Sequence, residues 1–505
     1  MRNTILNLLK DAAELVPDRI ALEDEWTSIT YAEYAQSAKT VGTYLIKEVT
    51  EGEVQFPIAV LIDRNVQSVI AFIGALYAGC FYVPIDPLMP EERLQKMLTE
   101  LNPACILDAR VQKNDLNLKS VPIDSILKET EPDEDLVGRV ADGIIDTDPA
   151  YALFTSGSTG IPKGVLVAHR SVIDLTEAFE ESFAFEDGSV FGNQAPFDFD
   201  VSVKDLYNAL KCHGTVCIIP RRFFAMPRVL IEYLTEKKIS TLIWAVSILR
   251  IIADFDSFNC GVKIPLIRDV MFSGEVLPVK ALNYWMHYMP NTRFVNLYGP
   301  TEITCNCTYY IIDRKFEPTS FIPIGKAFSN CRVFLLNEEG QKITEPGKIG
   351  EICVEGSCLA LGYYNNPEKT KEQFIQSPLR TEFPDRIYRT GDLGYINDEG
   401  LLVFSSRKDS QIKHMGHRVE LGEVETAVNS IEFVDVACCL FQQETEKIYC
   451  FYQAEEECKS KIVKALSRMI PKYMWPDRYV HFTSIPLNSH SKIDRTRLKN
   501  EYFKK

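Results

Sequence analysis

Residues 153–165 read LFTSGSTGIPKGV. An apolar run ends in a row of small and hydroxyl residues, and a lysine follows. With Tyr151 and Ala152 in front, YALFT (151–155) reads as a short buried strand. SGSTG then supplies backbone N–H groups unshielded by Cβ atoms, together with hydroxyl donors. Lys163 adds a point charge. These are the parts of a phosphate cradle. They are equally the parts of a plain surface loop. A Walker A loop does not fit, because Lys163 is followed by Gly164 where Ser or Thr is required. The rest of the chain has to decide.

Working outward, apolar strand-like runs alternate with helix-like segments through the first 400 residues: PIAVLID (57–63), SVIAFIGALYAG (68–79) and ACILD (104–108). That alternation predicts an α/β fold with layers around parallel sheets. Thr30-Tyr-Ala-Glu33 is a capping box. Pro90 before Glu91 and Glu92 marks a helix start with proline at its first position. The uncharged stretch SVIAFIGALYAGCFYVPI (68–85) imitates a membrane span, but Gly79 and Pro84 break it and Arg64 and Asp86 bracket it. A buried helix followed by a buried strand is the better reading.

The texture changes near residue 400. DEG (398–400) is a turn, LLVF follows, and then SSRKDSQIK. In LGEVETAVNSI (421–431), Val424, Ala427, Val428 and Ile431 share one helical face. The expected organisation is a large N-terminal α/β domain over residues 1–407, a hinge at Lys408 and Asp409, and a small mobile C-terminal α+β domain over 410–505.

Composition sets outer limits. The 505 residues are 46% hydrophobic and 25% charged, enough for a large core. The net charge of −15 argues against a nucleic-acid binder. The 14 cysteines lack a framework or paired zinc spacing, although Cys305 and Cys307 form C-x-C and Cys438 and Cys439 are adjacent. They read as buried thiols of a reducing compartment. The N-terminus shows no secretory signal, so a cytoplasmic location without a membrane span is expected.

Further stretches carry chemistry. NLYGPTEIT (296–304) offers Tyr298 as a flat face for a base and Glu302 as a carboxylate for magnesium. YRTGDLG (388–394) places Asp392 in a turn, where it can accept two ribose hydroxyls. Taken in order with SRKDSQIKHMGHRVELGEVE (406–425) and the lysine of SKIDR (491–495), these stretches resemble the adenylate-forming superfamily across essentially the whole chain. LYAGCFYVPID (76–86) and FDFDVS (197–202) look like its amino-acid adenylation branch. NQAPFDFDVSV (193–203) and FSGEVLP (272–278) are similar to the stand-alone D-alanine–carrier protein ligases.

The resemblance implies an enzyme that uses ATP and Mg²⁺ to make an aminoacyl-AMP. A separate phosphopantetheinylated carrier protein then receives the aminoacyl group. Thr155, Ser156, Gly157, Ser158, Thr159, Gly160 and Lys163 would hold phosphates. Gly274, Glu275, Asn296, Tyr298 and Gly299 would surround adenine, and Asp392 and Arg407 the ribose. Thr301 and Glu302 would face the α-phosphate and Mg²⁺, and Lys492 would reach the reacting carboxylate. Gly416 would lie where a pantetheine arm enters. Lys492, Lys163 and Mg²⁺ supply the positive charge that an anion attacking a polyanion requires.

Three departures from the family pattern stand out: Ser489-His490-Ser491 precedes Lys492 where Asn-Gly is usual, Ser406 precedes Arg407 in place of Gly, and Met415 replaces an arginine. The resemblance also assigns Asp200 to the substrate ammonium, although Asp often caps a helix. Phe199, Val201, Lys204, Ile243, Met271, Ser273, Leu297, Cys305 and Asn306 would line the same pocket. If Lys204 points inward, the substrate should carry an acceptor or carboxylate. If it points out, the pocket suits alanine. At one turn from Asp200 it could also pair with Asp200 itself. Against a coenzyme A ligase for simple acyl acids stands Asp200, which such a substrate would leave unpaired.

Overall fold

PIAVLID forms the strand Pro57–Leu61, every residue of it buried. A strand covered on both faces has no polar positions to alternate, which is why its sequence is a continuous apolar run. The structure, a computed structural model, describes residues 4–111, 118–155, 162–259, 261–317, 320–408, 411–486 and 493–503. The chain divides into two compact units. One comprises Met1–Asp86, Asn102–Leu153 and Gly164–Ser406; the other comprises Pro87–Leu101, Phe154–Lys163 and Arg407–Lys505.

Pro57–Leu61 pairs in parallel with Phe81–Ile85 and with Cys105–Asp108. These strands belong to a sheet that runs, among the described residues, Gly362–Tyr363, Lys163–Ala168, Pro149–Thr155, Phe81–Ile85, Pro57–Leu61, Cys105–Asp108, Val121–Pro122. The stretch that imitates a membrane span is the helix Val66–Tyr77 followed by the strand Phe81–Ile85. Asn65 begins that helix by accepting from the Ser68 N–H at 3.0 Å. Gly79, at φ +69°, ends it, and a Cβ there would stand 2.6 Å from Val54 Cγ1. Among the described residues no helix is long and apolar enough to cross a membrane.

A second sheet carries the parallel neighbours Thr241–Ala245, Asp269–Ser273 and Arg293–Tyr298. Val190–Asn193 also lies beside Thr241–Ala245 in parallel. Alternate residues of this sheet enter different cores. Ile243, Met271, Val295 and Leu297 join the main hydrophobic cluster, while Leu242, Trp244, Val270, Phe272 and Phe294 join a second one. The period of two therefore decides which side chains face the helix Val201–Lys211.

The capping box is present: Thr30 N–H donates to Glu33 Oε2 at 2.8 Å and Glu33 N–H returns to Thr30 Oγ1 at 3.3 Å. Two expectations shift. The helix after Pro90 is Glu91–Leu101, and Leu94 N–H donates to the Pro90 carbonyl, so Pro90 caps the helix instead of opening it. TGD is not a turn. It lies inside the long strand Arg386–Ile396, where the pairing with Gly350–Gly356 slips in register. Gly391 at φ +74° takes up that bulge.

In the second unit, Gln411–His414 and His417–Glu420 form a hairpin. Its two-residue loop, Met415 and Gly416, has φ +53° and +81°, as a twisted hairpin of this length requires. The helix Leu421–Asn429 buries Val424, Ala427 and Val428, with Ile431 buried just beyond it. A three-stranded sheet of Val436–Gln442, Lys447–Gln453 and Arg478–Phe482 completes this α+β core. Arg93 forms an ion pair with Glu423 inside the same unit.

Arg64 acts as a clamp in the first unit. Its guanidinium donates to the carbonyls of Asn193, Gln194, Ala195 and Ile219 at 2.7–3.1 Å, and to Asn193 Oδ1 at 3.0 Å. It thereby fixes the chain that leads from Val190–Asn193 into PFDFD. Arg64→Met leaves several partly buried carbonyls without a donor and should lower stability by about 3 kcal/mol in urea unfolding. A loss of under about 0.5 kcal/mol, the range of ordinary surface changes, would contradict the clamp.

Candidate functional site

The site residues of the first unit gather where parallel strands end. Ser273 closes Asp269–Ser273 and is followed by Gly274 at φ +101° and by half-buried Glu275. Asn296, Leu297 and Tyr298 close Arg293–Tyr298, and Asn296 Nδ2 donates to the Pro323 carbonyl at 2.8 Å. Ligands of α/β sheets bind at such C-terminal strand ends. Gly299 follows. A Cβ there would stand 2.7 Å from both Asn306 Cα and the Cys305 carbonyl oxygen, so the chain folds back on itself at a distance only glycine allows.

That fold-back is the short 3₁₀ turn Thr301–Ile303, which ends on Thr304 at φ +57° and Cys305 at φ +72°. A β-branched residue in the left-handed region is strained and persists only if its surroundings enforce it. Here Thr304 Oγ1 donates to the Cys358 carbonyl at 2.8 Å, and Cys305 Sγ donates to the Asp200 carbonyl at 3.0 Å.

Asp200 occupies the N-cap position of Val201–Lys211, yet its side chain makes no capping bond. Its Oδ2 instead accepts from Thr301 Oγ1 at 2.8 Å. The position is a cap; the carboxylate is committed elsewhere. Phe199 and Val201 flank it, with Phe199 N–H donating to the Pro196 carbonyl at 3.1 Å.

Lys204, one turn on, is 1% exposed and points inward. Its Nζ donates to Asn306 Oδ1 at 2.9 Å and to Ser273 Oγ at 3.1 Å, not to Asp200. Burial pulls the Lys204 pKa down, opposed by the charges of Cys305, Asp200 and Asp205. Ile243, Met271 and Leu297 are buried on the sheet face that also carries Ser273. The structure thus brings together Asp200, Val201, Lys204, Ser273, Thr301, Cys305 and Asn306.

Tyr298 and Asp392 also meet: the phenol donates to Asp392 Oδ2 at 2.5 Å, and both residues are buried. Asp392 N–H donates to Thr390 Oγ1 at 3.0 Å. Glu302 is fully buried, and its Oε1 accepts from Tyr363 Oη at 2.8 Å. One carboxylate suits Mg²⁺, which draws most of its six ligands from phosphates and water. Among the described residues no group of three or more metal-ligating side chains exists.

The other expected residues fall as follows. Thr155 ends the strand Pro149–Thr155 and Lys163 begins Lys163–Ala168. Arg407 ends Leu402–Arg407, exposed Lys408 follows, and Gly416 sits in the hairpin loop. Ser156, Gly157, Ser158, Thr159, Gly160, Asp409 and Lys492 lie outside the described residues.

Sequence reasoning missed Tyr363 and the Asn193–Asp205 pair. Tyr363 lies 61 residues from Glu302 and has no local signature. Asp205 is fully buried; Asn193 Nδ2 donates to its Oδ2 at 2.9 Å, and burial pushes its pKa up to about 7 against the pull of Asn193, Lys204 and Arg64.

Known proteins resemble this chain over nearly its whole length. A profile of the AMP-binding enzyme family matches residues 9–364. Zwittermicin A synthase ZmaJ of Bacillus cereus is 30% identical over 98% of this chain and 94% of its own. A D-alanine–D-alanyl carrier protein ligase of Bacillus anthracis is 29% identical over 98% and 99%. The structure of holo-PA1221, an NRPS protein with adenylation and PCP domains, is 25% identical and superposes with a TM-score of 0.86 over 99% of this chain and 84% of that one. The chain belongs to the AMP-binding enzyme family and is an adenylate-forming ligase.

Asp205 yields a pH prediction. A carboxyl whose pKa rises on folding binds its proton more tightly in the native state. Its contribution is complete below the unfolded value of 3.8 and disappears as pH rises through about 7. From about pH 5 to about pH 8, wild type should lose about 3 kcal/mol relative to Asp205→Asn in urea unfolding. Parallel profiles for the two proteins would contradict the buried, protonated carboxyl.

Proposed function

We propose that the enzyme activates an amino acid with ATP, releasing pyrophosphate, and passes the aminoacyl group to the phosphopantetheine thiol of a separate carrier protein. The observation that carries this reading is Asp200, a carboxylate withheld from its own helix and turned toward Thr301. A simple acyl acid brings nothing to neutralise it; an amino acid brings an ammonium. The relatives, a D-alanine–D-alanyl carrier protein ligase and an NRPS adenylation protein, support the same chemistry.

A carboxylate is a poor acyl donor until its oxygen is joined to the α-phosphorus, so AMP can leave when the thiol attacks. Thr301 and Glu302 stand at the α-phosphate, and Tyr363 orients Glu302. Glu302 would hold Mg²⁺, which would supply positive charge to the phosphates. Tyr298 faces adenine, while Asp392, oriented by the Tyr298 hydroxyl, takes the ribose. The loop 155–160 with Lys163 grips the departing pyrophosphate, and Lys492 steadies the reacting carboxylate. A hinge at Lys408 and Asp409 exchanges Lys492 for the Gly416 hairpin between the two half-reactions. The described cysteines are buried, apart from half-buried Cys105, a usage that accords with a reducing cytoplasmic setting.

Substrate-dependent exchange of pyrophosphate into ATP tests the reading. An amino acid should drive it, and Asp200→Ala should lower kcat/KM for that amino acid by about 100-fold, the scale of an ammonium losing its half-buried partner. Exchange driven by an acyl acid and by no amino acid would refute it.

A further inference from the structure

Lys204 donates to two neutral acceptors, Ser273 Oγ and Asn306 Oδ1. An ammonium has three N–H groups, so one remains for something else. Neither neighbouring carboxyl is in hydrogen-bond contact with it: Asp200 accepts from Thr301 through Oδ2, Asp205 accepts from Asn193 through Oδ2, and Asp205 Oδ1 has no hydrogen-bond partner. A buried cation with no counter-charge in hydrogen-bond contact is costly.

Asn306 carries a second demand. A lysine only donates, so the amide oxygen must face it and Nδ2 must face away. That Nδ2 is enclosed, in a residue 1% exposed, and has no hydrogen-bond partner. One hydrogen-bonded pair therefore carries both an idle ammonium N–H and an idle amide N–H, on a helix and on a turn 102 residues further along the chain. Two donors and a positive charge match the two oxygens and negative charge of a carboxylate. A neutral acceptor would satisfy the hydrogen bonds and leave the charge. A methyl group, as in alanine, would satisfy neither.

We propose that the amino acid activated here bears a second carboxylate on its side chain, and that Lys204 and Asn306 bind it. This rests on the adenylation reading and narrows its substrate. Asp200 and Lys204, one helical turn apart on Val201–Lys211, then recognise the two charges of one molecule, ammonium and side-chain carboxylate. The apolar frame of Ile243, Met271 and Leu297 excludes water and strengthens both contacts. Burial alone pulls the Lys204 pKa down, and a bound carboxylate restores the charged form.

The experiment is pyrophosphate exchange by the full-length enzyme with D- and L-aspartate and glutamate, their amides, alanine and serine. A side-chain carboxylate should be preferred over its amide by about 100-fold or more in kcat/KM, a preference read on wild type without any variant. Lys204→Met should bring acid and amide within about 10-fold of each other, and Asn306→Ala should cut the acid's kcat/KM by about 10-fold. Alanine, serine or an amide turning over as well as the acids would overturn the side-chain assignment while leaving adenylation standing. Exchange with none of these but with another amino acid would overturn this inference and leave adenylation standing, whereas exchange with an acyl acid and with no amino acid at all would overturn both.

Discussion

The hydrogen bond from Thr301 to Asp200 joins residues 101 positions apart and sets the arrangement around it. Asp200 stands where a helix wants a side-chain acceptor for its open N–H groups. The carboxylate declines that role and turns to the loop after Arg293–Tyr298. Caps contribute about 1 kcal/mol, whereas a hydrogen bond to a charged group contributes about 1.5–3 kcal/mol. The exchange therefore does not cost stability, and it leaves one carboxylate oxygen for a ligand.

Several features exist to hold that bond. Gly299 permits the chain to fold back within van der Waals contact of Cys305 and Asn306. Thr304 and Cys305 accept left-handed backbone, tied down by the Cys358 and Asp200 carbonyls. Arg64 fixes the other strand of approach, the segment 193–195 ahead of the helix. The period-two alternation of the sheet then decides that Ile243, Met271 and Leu297 share a face with Ser273. Strain, close approach and a buried cation thus converge on one small region, while the surrounding layers follow ordinary apolar patterning. Local rules tend to fail where function is built.

That contrast explains what could be read in advance. PIAVLID, SVIAFIGALYAG and LGEVETAVNSI obey period and capping rules, so their strands and helices were legible from the letters. Asp200, Tyr298, Glu302 and Asp392 were singled out through the company of their motifs, and the structure pairs Asp200 with Thr301 and Tyr298 with Asp392. The letters TGD suggested a turn, because a bulge inside an eleven-residue strand depends on the register of its partner Gly350–Gly356. The Tyr363–Glu302 bond depends on chain returning from 61 residues away, and the Arg64 clamp on carbonyls more than 120 residues away. Lys204 carried three readings, inward, outward or paired with Asp200, and its bonds to Ser273 and Asn306 decide for the first. Tertiary hydrogen bonds of this kind leave no periodic trace.

The most direct test of Asp200 as the ammonium partner is calorimetric. A non-hydrolysable aminoacyl-adenylate analogue can be titrated into wild-type enzyme beside the same molecule lacking its α-amino group. The account predicts that the amino form binds about 100-fold more tightly, and that Asp200→Ala brings the two within about 5-fold of each other. Equal binding of both molecules by the wild-type enzyme would contradict it.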